Sequence, residues 1–299
     1  MENDQQNKRG GITEFFRTLF LPLTATLDFL QKYFKAIILL LIILAIIGAS
    51  QKESLQKPNL MRITLYGTII DSKPVLDEIK LAQKPSIKGV LFVVDSPGGA
   101  VAPSIEISEA IKRLAQKKPV VAYAAGTMAS GSYYASIWSK KIVANPGAII
   151  GSIGVIFESP QIKGLLDKIG IKPQVVKAGK YKEVGTPFRE WKEYEKQEIE
   201  KIIFDTYNMF TSDVAKARGL DLNRSDDWAQ AHIFTARQAK KVGLVDEVGT
   251  IEEAKKLTAK LAKVKNPRWY KKDKIDQIIE KLANETSSKL SMLLAPKLL

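Results

Sequence analysis

Residues 89–124 read GVLFVVDSPGGAVAPSIEISEAIKRLAQKKPVVAYA, and the order of patterns inside that stretch decides the fold. Gly89 to Asp95 is a short valine-rich apolar run, the pattern of a buried strand. It breaks at Ser96-Pro97-Gly98-Gly99, and Pro103 to Lys117 then carries apolar residues at helical spacing. Val120 to Ala124 is β-branched and apolar again. Strand, glycine turn, helix, strand builds parallel neighbours in a sheet.

The alternation continues on both sides. Arg62 to Tyr66, Ile142 to Ala144 and Gln174 to Lys177 read as further strands, and Val75 to Gln83 and Gln161 to Ile169 as helices. A longer helix is expected from Glu190 to about Arg218, with Ile199, Ile202, Ile203, Tyr207 and Phe210 on a core-like face and Gly219 as its stop. The soluble part is therefore an α/β domain with a largely parallel sheet.

Composition removes several function classes. The 299 residues carry 46 Lys plus Arg against 32 Asp plus Glu, a net charge of +14, yet 45% are hydrophobic, so the chain is no disordered polycation. There is no cysteine, which excludes disulfide scaffolds, cysteine nucleophiles and cysteine-ligated metals. The single histidine, His232, excludes histidine-rich metal sites and any mechanism with two imidazoles. The basic charge is scattered and no nucleic-acid motif accompanies it.

Ala36 to Ser50, AIILLLIILAIIGAS, is uncharged and flanked by Lys32, Lys35 and Lys52. It is the candidate membrane segment, a slightly short single span over 36–51 that Tyr33 and Phe34 extend and Lys35 can snorkel around. A buried core helix and a cleaved signal peptide are the competing readings. Flanking charges tie, so they give no orientation. The expected organisation is an N-terminal segment over 1–35 that can lie in the membrane interface, the span, an α/β domain over 52–264, and a basic amphipathic tail over 265–299. The tail could rest on lipid, on a neighbouring subunit, or lie in solvent as an ordinary helix.

Three glycine-punctuated loops follow strands, where parallel α/β sheets place their sites. They are Asp95-Ser96-Pro97-Gly98-Gly99, the segment Gly126 to Tyr134, and Gly151-Ser152-Ile153-Gly154. The first could aim glycine amides at an oxyanion or could be a simple turn; it lacks the pattern of a nucleotide loop. In the second, Ser130 precedes Gly131 and an apolar helix, a position that suits a nucleophile and suits an N-cap equally. His232 reads as a structural histidine near a strand. A neutral lysine can serve as base instead, and Lys177, Lys180 and Lys182 are the candidates.

Taken together these loops resemble the signal peptide peptidase A (protease IV) family of membrane-bound serine proteases. The resemblance runs through Asp95-Ser96-Pro97-Gly98-Gly99, Ala129-Ser130-Gly131-Ser132-Tyr133-Tyr134, Gly151-Ser152-Ile153-Gly154-Val155, Lys177-Ala178-Gly179 leading to Lys182, Arg237-Gln238-Ala239-Lys240-Lys241 and Gly243-Leu244-Val245-Asp246. It covers about residues 60 to 260. Ser132 stands where the family usually has a second glycine, and the hydroxymethyl group is expected to narrow the site. His232 stands where a family arginine is common.

The resemblance implies a Clp protease/crotonase-like spiral of ββα units behind one transmembrane helix, and a Ser–Lys dyad without metal or cofactor. Matched motif to motif, Ser130 is the nucleophile, Lys182 the general base, the amides of Gly98 and Gly131 the oxyanion hole, Gly99 the residue permitting close approach, and Ser152 a hydroxyl that orients the lysine. It further implies a ring-shaped homo-oligomer whose dyad is completed between neighbouring protomers. The expected substrates are cleaved signal peptides and other extended hydrophobic peptides, and nucleic acid is no partner. The expected place is the bacterial cytoplasmic membrane, single-pass and in the lipid bilayer, with the catalytic domain extracytoplasmic. A catalytically idle scaffold of the same fold and a crotonase-like acyl-CoA enzyme are the competing functions.

Overall fold

The computed structural model describes residues 31–43 and 57–271. The chain divides into two compact units, Met1–Lys57 and Pro58–Leu299. In the first, residues 31–43 form helix α1. Among the described residues no helix is long and apolar enough to cross a membrane. Residues 44–51 of the expected span, residues 1–30, and the tail from 272 onward lie outside the described residues.

The second unit is built on a seven-stranded sheet. Its elements are β1 (Leu60–Tyr66), α2 (Lys73–Ala82), β2 (Gly89–Ser96), α3 (Val101–Ala115), β3 (Val120–Ala129), α4 (Gly131–Ser136), β4 (Lys141–Ala144), β5 (Ile149–Gly151), α5 (Lys163–Lys168), α6 (Glu193–Arg218), β6 (Ile233–Thr235), α7 (Ala236–Lys241), β7 (Glu247–Val248) and α8 (Ile251–Leu261). The strand order is β1-β2-β3-β4-β7, with β5 paired to β3 and β6 to β5. The pairings are parallel except β5 with β6.

The quoted stretch behaves as its pattern dictates. All of β2 is buried except Asp95, as a central parallel strand covered on both faces must be. Its side chains alternate between two layers. Val90, Phe92 and Val94 join the cluster that also takes Ile79 of α2 and Ile107 and Ile111 of α3, whereas Leu91 and Val93 meet Ala254 of α8 on the other face.

One expected strand is absent. Gln174 to Lys177 has no strand pairing, and Val175 and Val176 are 55% and 100% or more exposed. The β-branched run there follows Pro173 and finds no neighbouring ladder, and a strand without a partner leaves its backbone groups to solvent. Conversely, β3 runs on to Ala129 through residues expected to be loop. It switches partners to do so, pairing with β4 over Val121 to Ala124 and with β5 over Thr127 to Ala129. The long helix ends where expected, with Gly219 left-handed at φ 67°, ψ 34°, but Ile202, expected on its core face, is 65% exposed.

A Cβ on Gly219 would meet nothing within 4 Å, so only the left-handed backbone opposes a larger residue there. Gly219→Ala is therefore expected to lower stability by about 1 kcal/mol, read by chemical denaturation.

Candidate functional site

The site grows from an irregularity between the two central strands. From Val94↔Ala124 to Ser96↔Met128 the register shifts, β3 advancing further than β2. The carboxylate of Asp95 accepts the Thr127 N–H at 2.8 Å. A Cβ on Gly126 would stand 2.6 Å from that carboxylate oxygen, so a larger residue there would push the carboxylate aside. The bulge re-aims the end of β3.

Beyond it the chain turns sharply at Ser130, whose φ of 52° and ψ of −126° lie where non-glycine residues rarely sit. Such a residue costs on the order of 1–3 kcal/mol and persists only where its surroundings over-determine it. Here they do. The Ser130 N–H donates to Gly151 O at 2.8 Å and its carbonyl accepts the Tyr134 N–H at 3.0 Å. Ser132 supplies a third tie: its hydroxyl donates to Ser96 O at 2.6 Å and accepts the Ala129 N–H at 2.9 Å. The Ser130 hydroxyl caps no helix.

Ser132 is thus fully buried and is absent from the lining of the cleft beside Ser130. The expectation that its hydroxymethyl group narrows the site is corrected: the side chain turns into the core and bolts the end of β2 to the end of β3.

Ser130 opens on a cleft of about 340 Å³. Pro97, Gly99 and Val101, Ser104 and Ile105 of α3 form one wall, Ser152 and Gly154 to Ile156 another, and Tyr134 with Met209 and Phe210 of α6 the rest. The Tyr134 and Phe210 rings meet edge to face at 5.0 Å. The Tyr134 hydroxyl donates to Asp213 Oδ2 at 2.5 Å. Burial, reinforced by that carboxylate, holds the phenol in its neutral form. None of the lining residues is a lysine, arginine, histidine, aspartate or glutamate.

The glycine amides divide by partner. Gly98 N–H donates to Ser96 Oγ at 3.2 Å, and a Cβ on Gly98 would sit 2.8 Å from the Ser130 Cβ. Ile69 N–H donates to Gly98 O and Ala100 N–H to Ile69 O, both at 2.8 Å, so Gly99 is bridged to Ile69 in parallel fashion. In that pattern the bridged residue's own N–H faces away from its partner. The Gly99 nitrogen lies 3.5 Å from where a Gly131 Cβ would stand. Gly131 opens α4, so its N–H has no partner within the helix. Ser152, at φ 50°, donates its N–H to His232 O at 2.7 Å. His232 itself precedes β6, is exposed, and does not line the cleft.

Lys182 lies elsewhere. It is exposed, in a turn between Gly179 and Glu183. Tyr181 stacks on Tyr194 at 5.5 Å, and Glu183 accepts from Lys177 and, at 3.1 Å, from Arg189. Arg189 is clamped to Glu195 by bonds of 2.8 and 2.9 Å. The turn thus belongs to the first turn of α6, while Phe210 of the same helix floors the cleft, and Glu195 to Phe210 is roughly 22 Å of α-helix. The structure brings Ser130, Gly98, Gly99, Gly131 and Ser152 together and leaves Lys182 outside their cleft. Sequence reasoning placed Phe210 on a core face and missed its role in the wall; it also missed Asp213 and the Arg189–Glu195 pair, whose partners are set by tertiary folding. Among the described residues no three His, Cys, Asp or Glu side chains cluster as metal ligands would.

Residues 112–265, just over half of the chain, match the model of peptidase family S49. The chain is similar to a candidate protease of Methanocaldococcus jannaschii, 45% identical over 193 residues that cover 64% of this chain and 61% of that protein. It is 38% identical to a candidate protease of Synechocystis over 71% of this chain and 76% of the relative. Against the chloroplastic serine protease SPPA of Arabidopsis thaliana it is 31% identical over 63% of this chain, but that match spans only 28% of the plant protein. Among solved structures, a membrane-bound stomatin-specific protease aligns with 68% of this chain and 85% of its own, at 18% identity and a TM-score of 0.48.

Two outcomes follow from this geometry. Ser132→Ala leaves the Ala129 N–H without its buried acceptor and should destabilise the fold by about 1–3 kcal/mol, seen as a lower denaturation midpoint, with the cleft unaltered in size. Arg189, with the Lys192 N–H, holds the buried Glu195 carboxyl down at about 2. A depressed carboxylate stabilises the fold above its unfolded value of about 4.3 and stops doing so as pH falls through its folded value. Thermal midpoints should therefore fall between about pH 4.3 and 2, and Glu195→Gln should flatten that part of the profile.

Proposed function

The chain belongs to peptidase family S49, and from that premise we propose that it is a membrane-anchored serine endopeptidase in which Ser130 of one protomer is served by Lys182 of its neighbour. The observation that carries the reading is the Ser130 cleft: a strained serine with Gly99 and Gly131 beside it, apolar walls, and no lysine, histidine or carboxylate in its lining to act as base. A serine so placed needs a base brought in from outside that cleft.

In this reading neutral Lys182 of the neighbour takes the Ser130 proton as Oγ attacks a peptide carbonyl. The oxyanion is met by the Gly131 N–H and by an N–H of the Asp95 to Gly99 loop; Gly99 is a candidate there beside Gly98, since the Gly98 N–H already donates to Ser96 Oγ. The lysinium then protonates the departing amine, and a water deprotonated by the same lysine releases the acyl group. Ser152, on the cleft wall, orients the incoming amine.

A ring-shaped assembly is supported by the apolar side chains that the protomer leaves in solvent, Ile156 at 82%, Ile202 at 65% and Phe204 at 62% exposed. The apolar walls suit extended hydrophobic peptides, cleaved signal peptides among them. The uncharged run at 36–50 supplies the anchor, single-pass in the bacterial cytoplasmic membrane with the catalytic unit extracytoplasmic. The Clp protease/crotonase-like spiral is part of the same reading. One observation favours the idle scaffold instead, the absence of any base from the cleft of a single chain, and the experiment separates the two.

The full chain in detergent is tested on a fluorogenic hydrophobic peptide. Ser130→Ala and Lys182→Ala should each lower kcat/KM by at least about a thousandfold, and co-assembly of the two variants should restore part of the rate. An assembled wild type that turns over nothing is the scaffold.

A further inference from the structure

The turn that carries Lys182 has little of its own to hold it. Residues 171–177 and the turns through 189 contain no strand or helix, and Gly179 and Gly185, at φ 98° and 84°, are left-handed hinges on either side of the lysine. A general base on such a segment would point in many directions, and a base acts only when it is aimed.

Both sequence neighbours of Lys182 are nevertheless fixed to the start of α6. Tyr181 packs on Tyr194, whose hydroxyl donates to Lys180 O at 3.4 Å. On the other side, Arg189 Nη2 donates to Glu183 Oε2 at 3.1 Å and to Glu195 Oε1 at 2.9 Å, while Nη1 donates to Glu195 Oε2 at 2.8 Å and to Glu190 O at 2.9 Å. One planar guanidinium thus joins the residue beside Lys182 to a fully buried carboxylate. A buried ion pair costs desolvation that apolar packing would avoid, so stability alone is a weak reason to keep it. What a bidentate fork supplies is direction.

We propose that Arg189 is the positioning residue of the general base: by tying Glu183 to Glu195 it sets the direction in which Lys182 leaves its own chain toward the neighbour's Ser130. The inference rests on the reading of Lys182 as a base donated across a subunit boundary.

The test uses full-length chains co-assembled in pairs. A Ser130→Ala chain donates the base and a Lys182→Ala chain donates the nucleophile, so each active site has one supplier of each. Arg189→Ala placed in the base-donating chain should lower kcat on the fluorogenic peptide by at least about tenfold with KM unchanged, because the cleft belongs to the other chain. The same substitution placed in the nucleophile-donating chain costs nothing further, since that chain's own lysine is already gone. Arg189→Lys keeps the charge against Glu195 but lacks the fork. In the base-donating chain it should assemble as the parent does, read by size-exclusion chromatography, and leave kcat low. Equal losses in both placements, no loss in either, or full rescue of kcat by lysine would overturn the proposal and assign Arg189 to stability alone. If the parent mixture, with Arg189 intact, recovers no activity, the shared-dyad reading has failed and this inference falls with it.

Discussion

The hydrogen bond from the Thr127 amide to the Asp95 carboxylate holds the irregularity on which the site depends. Without the register shift between β2 and β3, β3 would run on in step with its neighbour and no turn would form at Ser130. With it, β3 trades β4 for β5, Gly151 O comes within reach of the Ser130 amide, and Ser152 follows into the cleft wall. Asp95 and Gly126 lie far apart in sequence, yet each makes sense only with the other, since any side chain on Gly126 would displace the carboxylate.

The sheet was legible because its central strands are local patterns. Gly89 to Asp95 and Val120 to Ala124 are apolar on both faces, and a strand of that kind has one place to go, the middle of a parallel sheet. The turn glycines and the αL cap at Gly219 were legible for the same reason, each being a constraint that a single residue satisfies. Gln174 to Lys177 misled because β-branched residues make a strand only when another strand is there to pair with, and pairing is not written into the segment itself. Of the three shortest strands, β5 and β7 escaped notice and β6 showed only as the strand expected near His232, for the reverse reason: they are made by their partners.

At the site, the positions of Ser130, Gly131 and Ser152 follow from motifs, whereas their hydrogen bonds do not. That Gly98 spends its amide on Ser96 while Gly99 keeps its own depends on the bridge to Ile69, a residue some thirty positions earlier. Ser132, a departure from the resemblance, turns out to be structural: its hydroxyl replaces the conformational freedom of glycine with a fixed bond between two strand ends. The Arg189 clamp was illegible because a charge run beside a helix usually lies in solvent, and only the fold buries Glu195.

The wall chemistry of the cleft has an electrostatic consequence of its own. It offers no carboxylate, its phenol is neutral, and its other polar groups are hydroxyls and backbone amides. An ammonium entering such a space sheds its water and gains no counter-ion, and both changes favour release of a proton. The Gly131 N–H, without a partner inside its helix, adds positive potential on that wall. The walls of the cleft therefore favour a neutral guest over a cation, whichever peptide or side chain enters it.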